Sequence, residues 1–259
     1  MTSTTVGMRC PECARQRTRV VTMRGLASVP RVTYALMIIN VAVYLAQGSF
    51  GLGAPSSTIF SHGALLGSGP PGQGVAHGQW WRLVTSGFLH ENIIHLGLNM
   101  WVLYLLGQMI ETALGPIKYV AVYAVSLLAG SLGALLLAPH TFTVGASGAI
   151  FGLMGAAAVE ARSRQISLAQ SGLGGLILIN VVFSFTFSGI SIGGHIGGLI
   201  GGVLAALAIQ LGDRRRSLAL ALTACAVICA VAIAGSVITS RSSDAGDAGV
   251  APALLTPGG

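Results

Sequence analysis

The sequence IKYVAVYAVSLLAGSLGALLLA, residues 117–138, decides the fold class of this chain. It carries one charged residue, Lys118, next to its start. A transmembrane helix needs about 20 consecutive, mostly apolar residues, whereas a transmembrane strand alternates between apolar and polar side chains. The lack of alternation excludes a β-barrel, and the stretch predicts a membrane-spanning α-helix.

Six further apolar runs repeat this pattern along the chain. They cover residues 32–47, 92–110, 145–159, 172–187, 190–211 and 217–239. Glycine, alanine and serine are frequent in them, and such small residues let helix backbones pack closely in lipid, where no hydrophobic force drives helices together. We therefore predict an all-α, polytopic transmembrane helix bundle with seven spans.

The composition excludes a soluble domain. Hydrophobic residues make up 53% of the 259 residues and charged residues only 8%, against about 25% charged residues in soluble domains. The net charge of +7 arises from arginine clusters between apolar runs, without the interleaved aromatic residues of a nucleic-acid platform. We expect the lipid bilayer as the surroundings and no nucleic acid as a partner.

The basic residues predict the orientation, because Arg and Lys stay on the cytoplasmic side of a membrane. With a cytoplasmic N-terminus, all 14 basic residues except Arg82 and Arg241 lie inside. We predict a multi-pass protein of the cell membrane with an external C-terminus. An alternative makes residues 1–46 a signal peptide, a basic leader before an apolar run. The remaining topology is then unchanged.

Four polar residues stand inside the apolar runs at a similar predicted depth. His95 and Asn99 share one helix face, Ser147 lies in the second run after theirs, and His195 lies in the sixth run. These runs all cross from outside to inside, which puts the four residues just below the external surface. The run at 145–159 gives only about 22 Å of helix, so we expect it to begin beneath a water-filled cavity.

Glycines at helical spacing predict how two of these residues meet. They occur at 148, 152 and 155 and again at 194, 198 and 202, and each set forms a flat face for close packing. If the faces meet, His195 can take the hydroxyl proton of Ser147 during attack on a carbonyl. The free amides at the start of a helix, with side chains of His95 and Asn99, suit an oxyanion. Because no Asp or Glu lies in an outer half-span, a Ser–His dyad is predicted.

Simpler roles are open to each residue. Ser147 could be a small packing residue, His195 a proton relay or a hydrogen-bonded core group, and His95 with Asn99 a tie between helices. A transporter with a histidine proton relay would keep its solute flux after loss of Ser147. The shared depth of the four residues favours catalysis.

Several motifs together resemble the rhomboid family of intramembrane serine proteases over about residues 34–211. They are, in order, Trp80-Trp81-Arg82, the spacing His90-x4-His95-x3-Asn99, Gly145-Ala-Ser147-Gly148 followed by Phe151-Gly152, and His195 followed by Gly198 and Gly202. The resemblance implies a six-helix core, with residues 217–239 as an added seventh span. It also implies cleavage of transmembrane protein substrates near the external face, without a cofactor.

The resemblance implies a role for each motif residue. Ser147 is the nucleophile and His195 the base, while His95, Asn99 and the Ser147 amide stabilise the oxyanion. Phe151, where many relatives have Tyr, packs against the histidine ring. Supporting positions are Gly145, Gly148, Gly198, Gly202, Trp81, Arg82 and His90. The alternative within the family is a catalytically silent protein that binds transmembrane clients, and the oligomeric state stays open.

The expected domains follow the runs. They are a cytoplasmic Arg-rich tail at 1–31, a rhomboid protease core at 32–212, an additional transmembrane helix at 213–240 and a disordered external tail at 241–259. Residues 48–91, rich in Gly, Pro and Ser but also containing tryptophans, are expected to form a structured interfacial loop.

The N-terminal tail contains Cys10-Pro-Glu-Cys13, half of a zinc ribbon. Tetrahedral zinc needs a second pair of ligands, which this sequence lacks. Some actinobacterial rhomboids resemble this chain in carrying a complete ribbon at the N-terminus. Either Met1 is an internal start, or the half-ribbon is a degenerate or subunit-shared site; no metal is expected in the core.

Overall fold

The structure is a computed structural model that describes residues 2–4, 7–9, 29–48, 57–70, 72–169, 172–186 and 190–250. In that part of the chain it contains the helices α1 (Arg31–Gln47), α2 (Thr58–Gly63), α3 (Arg82–Thr85), α4 (Ile93–Leu114), α5 (Pro116–Leu137), α6 (Ser147–Ser163), α7 (Leu173–Thr186), α8 (Ile192–Arg214) and α9 (Leu218–Val250). Two short strands, β1 (Thr2–Thr4) and β2 (Gly7–Arg9), pair antiparallel. The predicted all-α helical bundle is confirmed, and the small hairpin is an addition to it.

Each of the seven predicted apolar runs coincides with one helix, namely α1 and α4 to α9. Among the described residues, four helices are long and apolar enough to cross a membrane: α4, α5, α8 and the Leu218–Gly246 part of α9. The helices α1 and α7 are apolar but shorter. The chain is a multi-pass membrane protein, and the count of six core spans plus one stays a prediction.

Glycines bring α8 into close contact with α6. A Cβ atom on Gly198 would collide with the carbonyl oxygen of Gly148, and one on Gly202 would collide with that of Gly152. The two glycine faces therefore meet, as the spacing predicts. Since helix axes can approach this closely only where side chains are missing, the contact places the first turn of α6 beside that of α8.

Two ion pairs lie at the end of the bundle where α4, α6 and α8 finish. Lys118, near the start of α5, pairs with Asp213 near the end of α8. Arg164, just after α6, lies 2.6 Å from the carboxylate of Glu160. The helices α6 and α8 begin at the opposite end, so these two ion pairs and the polar residues of the candidate site are on opposite sides of the bundle.

A buried carboxyl group holds the start of α1 against the end of α4. The side-chain oxygens of Glu111 accept hydrogen bonds from the backbone amides of Val32 and Thr33, at 3.0 and 2.8 Å, and from the Thr33 hydroxyl at 2.8 Å. Glu111 is only 4% exposed. Negative charge beside the first amides of a helix also interacts favourably with the helix dipole.

Glu111→Ala is expected to destabilise the protein by about 2 to 3 kcal/mol, because it leaves buried donors without an acceptor. Thermal unfolding in detergent measures the effect. Glu160→Ala is the matched control, since its exposed i,i+4 pair with Arg164 contributes less than about 1 kcal/mol. Equal melting temperatures for the two variants would contradict a structural role of Glu111.

The loop before α4 is structured over residues 57–70 and from residue 72 onward. The Arg82 guanidinium is buried, and it donates to the carbonyl oxygen of Ala64 at 2.5 Å and to the side chain of Gln79 at 2.7 Å. The Trp81 indole donates to the carbonyl oxygen of His62 at 3.0 Å. These bonds fold the loop back on itself, which satisfies a buried charge with fixed acceptors.

The helix α9 continues to Val250, well beyond the predicted run. Near its end, Asp244 accepts a hydrogen bond from the Ser68 hydroxyl at 2.8 Å, and its second oxygen lies 3.8 Å from His77 Nε2. Both partners belong to the loop before α4, and this contact holds the last turns of the helix. Residues 241–250, which were expected to belong to a disordered tail, are helical in the structure, and residues 251–259 lie outside the described residues.

Candidate active site

The segment leading into α6 is fastened to the loop before α4. Leu65 and Thr143 exchange two backbone hydrogen bonds, at 2.9 and 3.0 Å, and the Gly145 amide donates to the carbonyl oxygen of Ser86 at 2.9 Å. Gly145 has φ +120°, a conformation that only glycine adopts readily. The chain therefore turns sharply before Ser147, which becomes the first residue of α6.

The structure brings Ser147 and His195 together. The hydroxyl oxygen of Ser147 lies 2.7 Å from His195 Nε2, across the contact of α6 with α8. His195 is 7% exposed, one turn into its helix. An imidazole nitrogen at this distance can accept the hydroxyl proton, which is the requirement for serine nucleophilicity.

Two further side chains hold the histidine ring. Phe151, one turn after Ser147, stacks on the ring with centroids 4.1 Å apart and planes at 12°. Ser184 of α7 places its hydroxyl oxygen 2.7 Å from His195 Nδ1. The sequence analysis missed Ser184, although its spacing of four from Asn180 in an apolar run is the same signal that singled out His95 and Asn99.

The side chains of His95 and Asn99 point at the turn before Ser147. A Cβ atom built on Gly145 would lie 2.7 Å from His95 Nε2 and 3.7 Å from Asn99 Nδ2. The Asn99 amide nitrogen is buried and has no hydrogen-bond partner among the described residues. Donors that converge beside a serine hydroxyl at a helix N-terminus can stabilise an oxyanion.

These groups share one cavity of about 350 Å³ between α4 and α7. Ser147, His195, His95 and Asn99 line its polar part. Apolar side chains from both helices line the rest, among them Leu98, Trp101, Ile179 and Phe183. A cavity with a few convergent polar groups and apolar walls is typical of a binding or active site.

Other predicted site residues shape the surroundings. His90 is buried. Its backbone carbonyl oxygen and amide form hydrogen bonds with the Gln47 side chain, at 3.0 and 3.1 Å. The His90 ring lies edge-on to that of His95, with centroids 5.1 Å apart. Burial lowers the pKa of His90 to about 3, so the ring is neutral. Trp81 and Arg82 act within the loop rather than in the cavity.

The predicted half-ribbon, Cys10 and Cys13, lies outside the described residues. Within the described part of the chain, no three His, Cys, Asp or Glu side chains are grouped as metal ligands are.

With Asn99 as an oxyanion donor and Ser147 as the nucleophile, the roles that the resemblance implies, Asn99→Ala is expected to slow cleavage by about 10² to 10³, because one preorganised donor is lost while the nucleophile remains. Kinetics on a transmembrane substrate measure the effect. Asn40→Ala is the control: its buried amide donates to the Leu36 carbonyl of its own helix at 2.8 Å, so it should lower stability and leave kcat unchanged. Inactivity of Asn99→Ala as complete as that of Ser147→Ala would assign Asn99 to structure or substrate placement instead.

Comparison with known proteins gives a consistent result. The Rhomboid domain family matches residues 77–211, about half of the chain. The protein named "Rhomboid protease GluP" of Bacillus subtilis (strain 168) is 32% identical over 168 residues, which are 64% of this chain and 32% of the relative. "Putative rhomboid protease YdcA" of the same organism is 43% identical over 83 residues, 32% of this chain and 42% of the relative.

One relative has a name that describes it as inactive. "Inactive RHOMBOID-like protein 8" of Arabidopsis thaliana is 32% identical over 107 residues, 41% of this chain and 30% of the relative. The chain thus spans between about a third and two fifths of the length of these curated relatives. The match over residues 77–211 contains the whole candidate site, and the chain belongs to the rhomboid family.

Proposed function

We propose that this protein is an intramembrane serine endopeptidase that cleaves transmembrane segments of membrane-protein substrates near the external face. The observation that carries the proposal is the distance of 2.7 Å between Ser147 Oγ and His195 Nε2, in a cavity that also holds two oxyanion donors. Relatives named rhomboid proteases support it. The rhomboid protease core is residues 32–212, with the N-terminus cytoplasmic and the C-terminus external.

The reaction follows from these groups. As the Ser147 oxygen bonds to the carbonyl carbon of the scissile peptide, its proton moves to His195 Nε2 and the carbonyl electron pair moves to oxygen. The Asn99 amide, the His95 ring and the Ser147 backbone amide stabilise that oxyanion. The proton on Nε2 then passes to the leaving nitrogen as the C–N bond breaks, and water releases the acyl group by the reverse roles.

The catalytically silent alternative is favoured by one observation, the inactive name of a relative. Against it stands the retention of both Ser147 and His195 at hydrogen-bonding distance. A silent client-binding protein has no need for an imidazole nitrogen aimed at a hydroxyl. The oxyanion donors have no role in such a protein either.

The test uses the purified full chain in detergent with a generic transmembrane substrate and, separately, a fluorophosphonate reagent, which phosphonylates activated serines with loss of fluoride. We expect cleavage within or beside the transmembrane segment, and mass spectrometry should locate the reagent on Ser147. Binding of the substrate without cleavage and without labelling would overturn the proposal in favour of the silent alternative. Cleavage that a chelator abolishes and zinc restores would assign a metal-dependent mechanism instead.

A further inference from the structure

Ser184 closes a hydrogen-bonded chain behind His195. Its hydroxyl oxygen lies 2.7 Å from His195 Nδ1 and 2.8 Å from the carbonyl oxygen of Asn180, one turn earlier in α7. Ser184 is 6% exposed, so water has little access to these bonds. The opposite ring nitrogen of His195 faces Ser147.

The number of available hydrogens indicates which group donates in each of these hydrogen bonds. A serine hydroxyl has one hydrogen to donate, and a carbonyl oxygen can only accept. With both contacts made as hydrogen bonds, the Ser184 hydroxyl donates to the Asn180 carbonyl oxygen, and its own oxygen accepts from His195 Nδ1. This requires the imidazole hydrogen on Nδ1, which leaves the Nε2 lone pair free to accept the hydroxyl hydrogen of Ser147.

We propose that Ser184 is a positioning residue that holds His195 in the tautomer needed for proton abstraction, a role that rests on the proposed protease function. When Ser147 attacks, its proton moves to Nε2 and the ring becomes a cation with hydrogens on both nitrogens. The hydrogen on Nδ1 stays bonded to Ser184 throughout. Ser184 exchanges no proton with the substrate, and the proton on Nε2 leaves with the amine.

The membrane setting explains why a hydroxyl can serve here. A carboxylate in the same place would require a second buried charge in an apolar span, which is costly without several further donors. Serine in a helix can instead bond the carbonyl of the residue four positions earlier. The series of hydrogen bonds from His195 then ends on a neutral backbone carbonyl, and the hydrogen on His195 Nδ1 has an acceptor without a buried anion.

The competing role for Ser184 is purely structural, a hydrogen bond that holds α7 against α8. The two roles differ in what they do to the histidine ring. If Ser184 only ties the helices together, its loss lowers stability but leaves the same ring nitrogen of His195 protonated. If Ser184 is a positioning residue, its loss changes which ring nitrogen of His195 carries the hydrogen. Its loss then lowers kcat more than it changes KM, since the substrate contacts are unaltered.

The first readout is ¹⁵N NMR of the full chain in detergent with ¹⁵N-labelled histidine, in which His195→Ala identifies the His195 signals. We expect wild type to carry its hydrogen on Nδ1 and Ser184→Ala to shift population to the other tautomer. The second readout is kinetics, with kcat reduced about tenfold in Ser184→Ala, as loss of one hydrogen bond gives, and KM nearly unchanged.

Three further variants complete the design. Ser184→Thr keeps the hydroxyl and should behave as wild type. Ser184→Val has nearly the same shape as the threonine variant but lacks the hydroxyl, so it should behave as Ser184→Ala. Ser236→Ala is the matched control, because this buried α9 serine donates to the Ala232 carbonyl at 2.8 Å in the same way but lies away from the cavity. It should change neither readout.

Unchanged His195 signals in Ser184→Ala, or equal kcat values for the Thr and Val variants, would overturn the proposal and leave the structural role. The NMR measurement does not depend on proteolysis. Failure of the wild type to cleave any substrate would therefore overturn the proposed function, while the tautomer shift would still report on Ser184.

Discussion

Ser147→Ala is expected to abolish cleavage of a transmembrane substrate while the protein stays folded. The substitution removes the nucleophilic oxygen, and loss of a catalytic nucleophile typically lowers kcat by about 10⁶. It deletes one hydroxyl group from a face of small residues, so the melting temperature should change little. The measurement is product formation against time in detergent, beside a thermal melt of the same preparation.

Two variants control this result. Ser126→Ala removes another buried hydroxyl of the bundle, which donates to the Val122 carbonyl at 2.7 Å and lies outside the cavity lining, so it should retain activity. His195→Ala should be as inactive as Ser147→Ala, because the two groups act as a unit. Cleavage by Ser147→Ala at a rate near that of wild type would eliminate the dyad.

Gly198→Val should lose activity and thermal stability together. Its first side-chain atom would collide with the Gly148 carbonyl in the first turn of α6, so α8 must move away and His195 must move with it. Overpacking of a close-packed contact costs about 3 kcal/mol or more when backbone must shift. A displacement of about 1 Å between nucleophile and base lowers rates by about 10².

The control for this substitution is Gly175→Val in α7. Gly175 is also a glycine inside a helix, but it is exposed and a Cβ atom there would have open space around it. It tests the effect of valine on the helix alone, so activity and melting temperature should stay near those of wild type. A Gly198→Val protein with normal cleavage would show that the α6–α8 contact does not position the dyad.

Much of the fold was available from the sequence because membrane helices obey local rules. Apolar runs of sufficient length must form helices to satisfy their backbone groups in lipid, and all seven runs did so. Glycines at 148, 152, 198 and 202 predicted the face on which two helices meet, since only small residues allow that approach. The dyad pair followed from the depth of Ser147 and His195 in those helices.

The end of α9 shows where the local rules stop. The sequence after residue 240 is rich in Ser, Asp, Ala and Gly, which indicates a disordered tail. The structure continues the helix to Val250, and Asp244 contacts Ser68 and His77 in a loop far away in the chain. No local signal in the tail reports the position of that loop.

Patterns within single segments were enough to predict the helices, two of their packing faces and the candidate site residues Ser147 and His195. Contacts between side chains of separate segments became visible only in the folded structure. Ser184 reaches His195 Nδ1 because α7 lies beside α8 and is rotated about its own axis so that Ser184 faces His195. That rotation results from packing of whole helices, and a hydrophobic run contains no periodic signal strong enough to fix it.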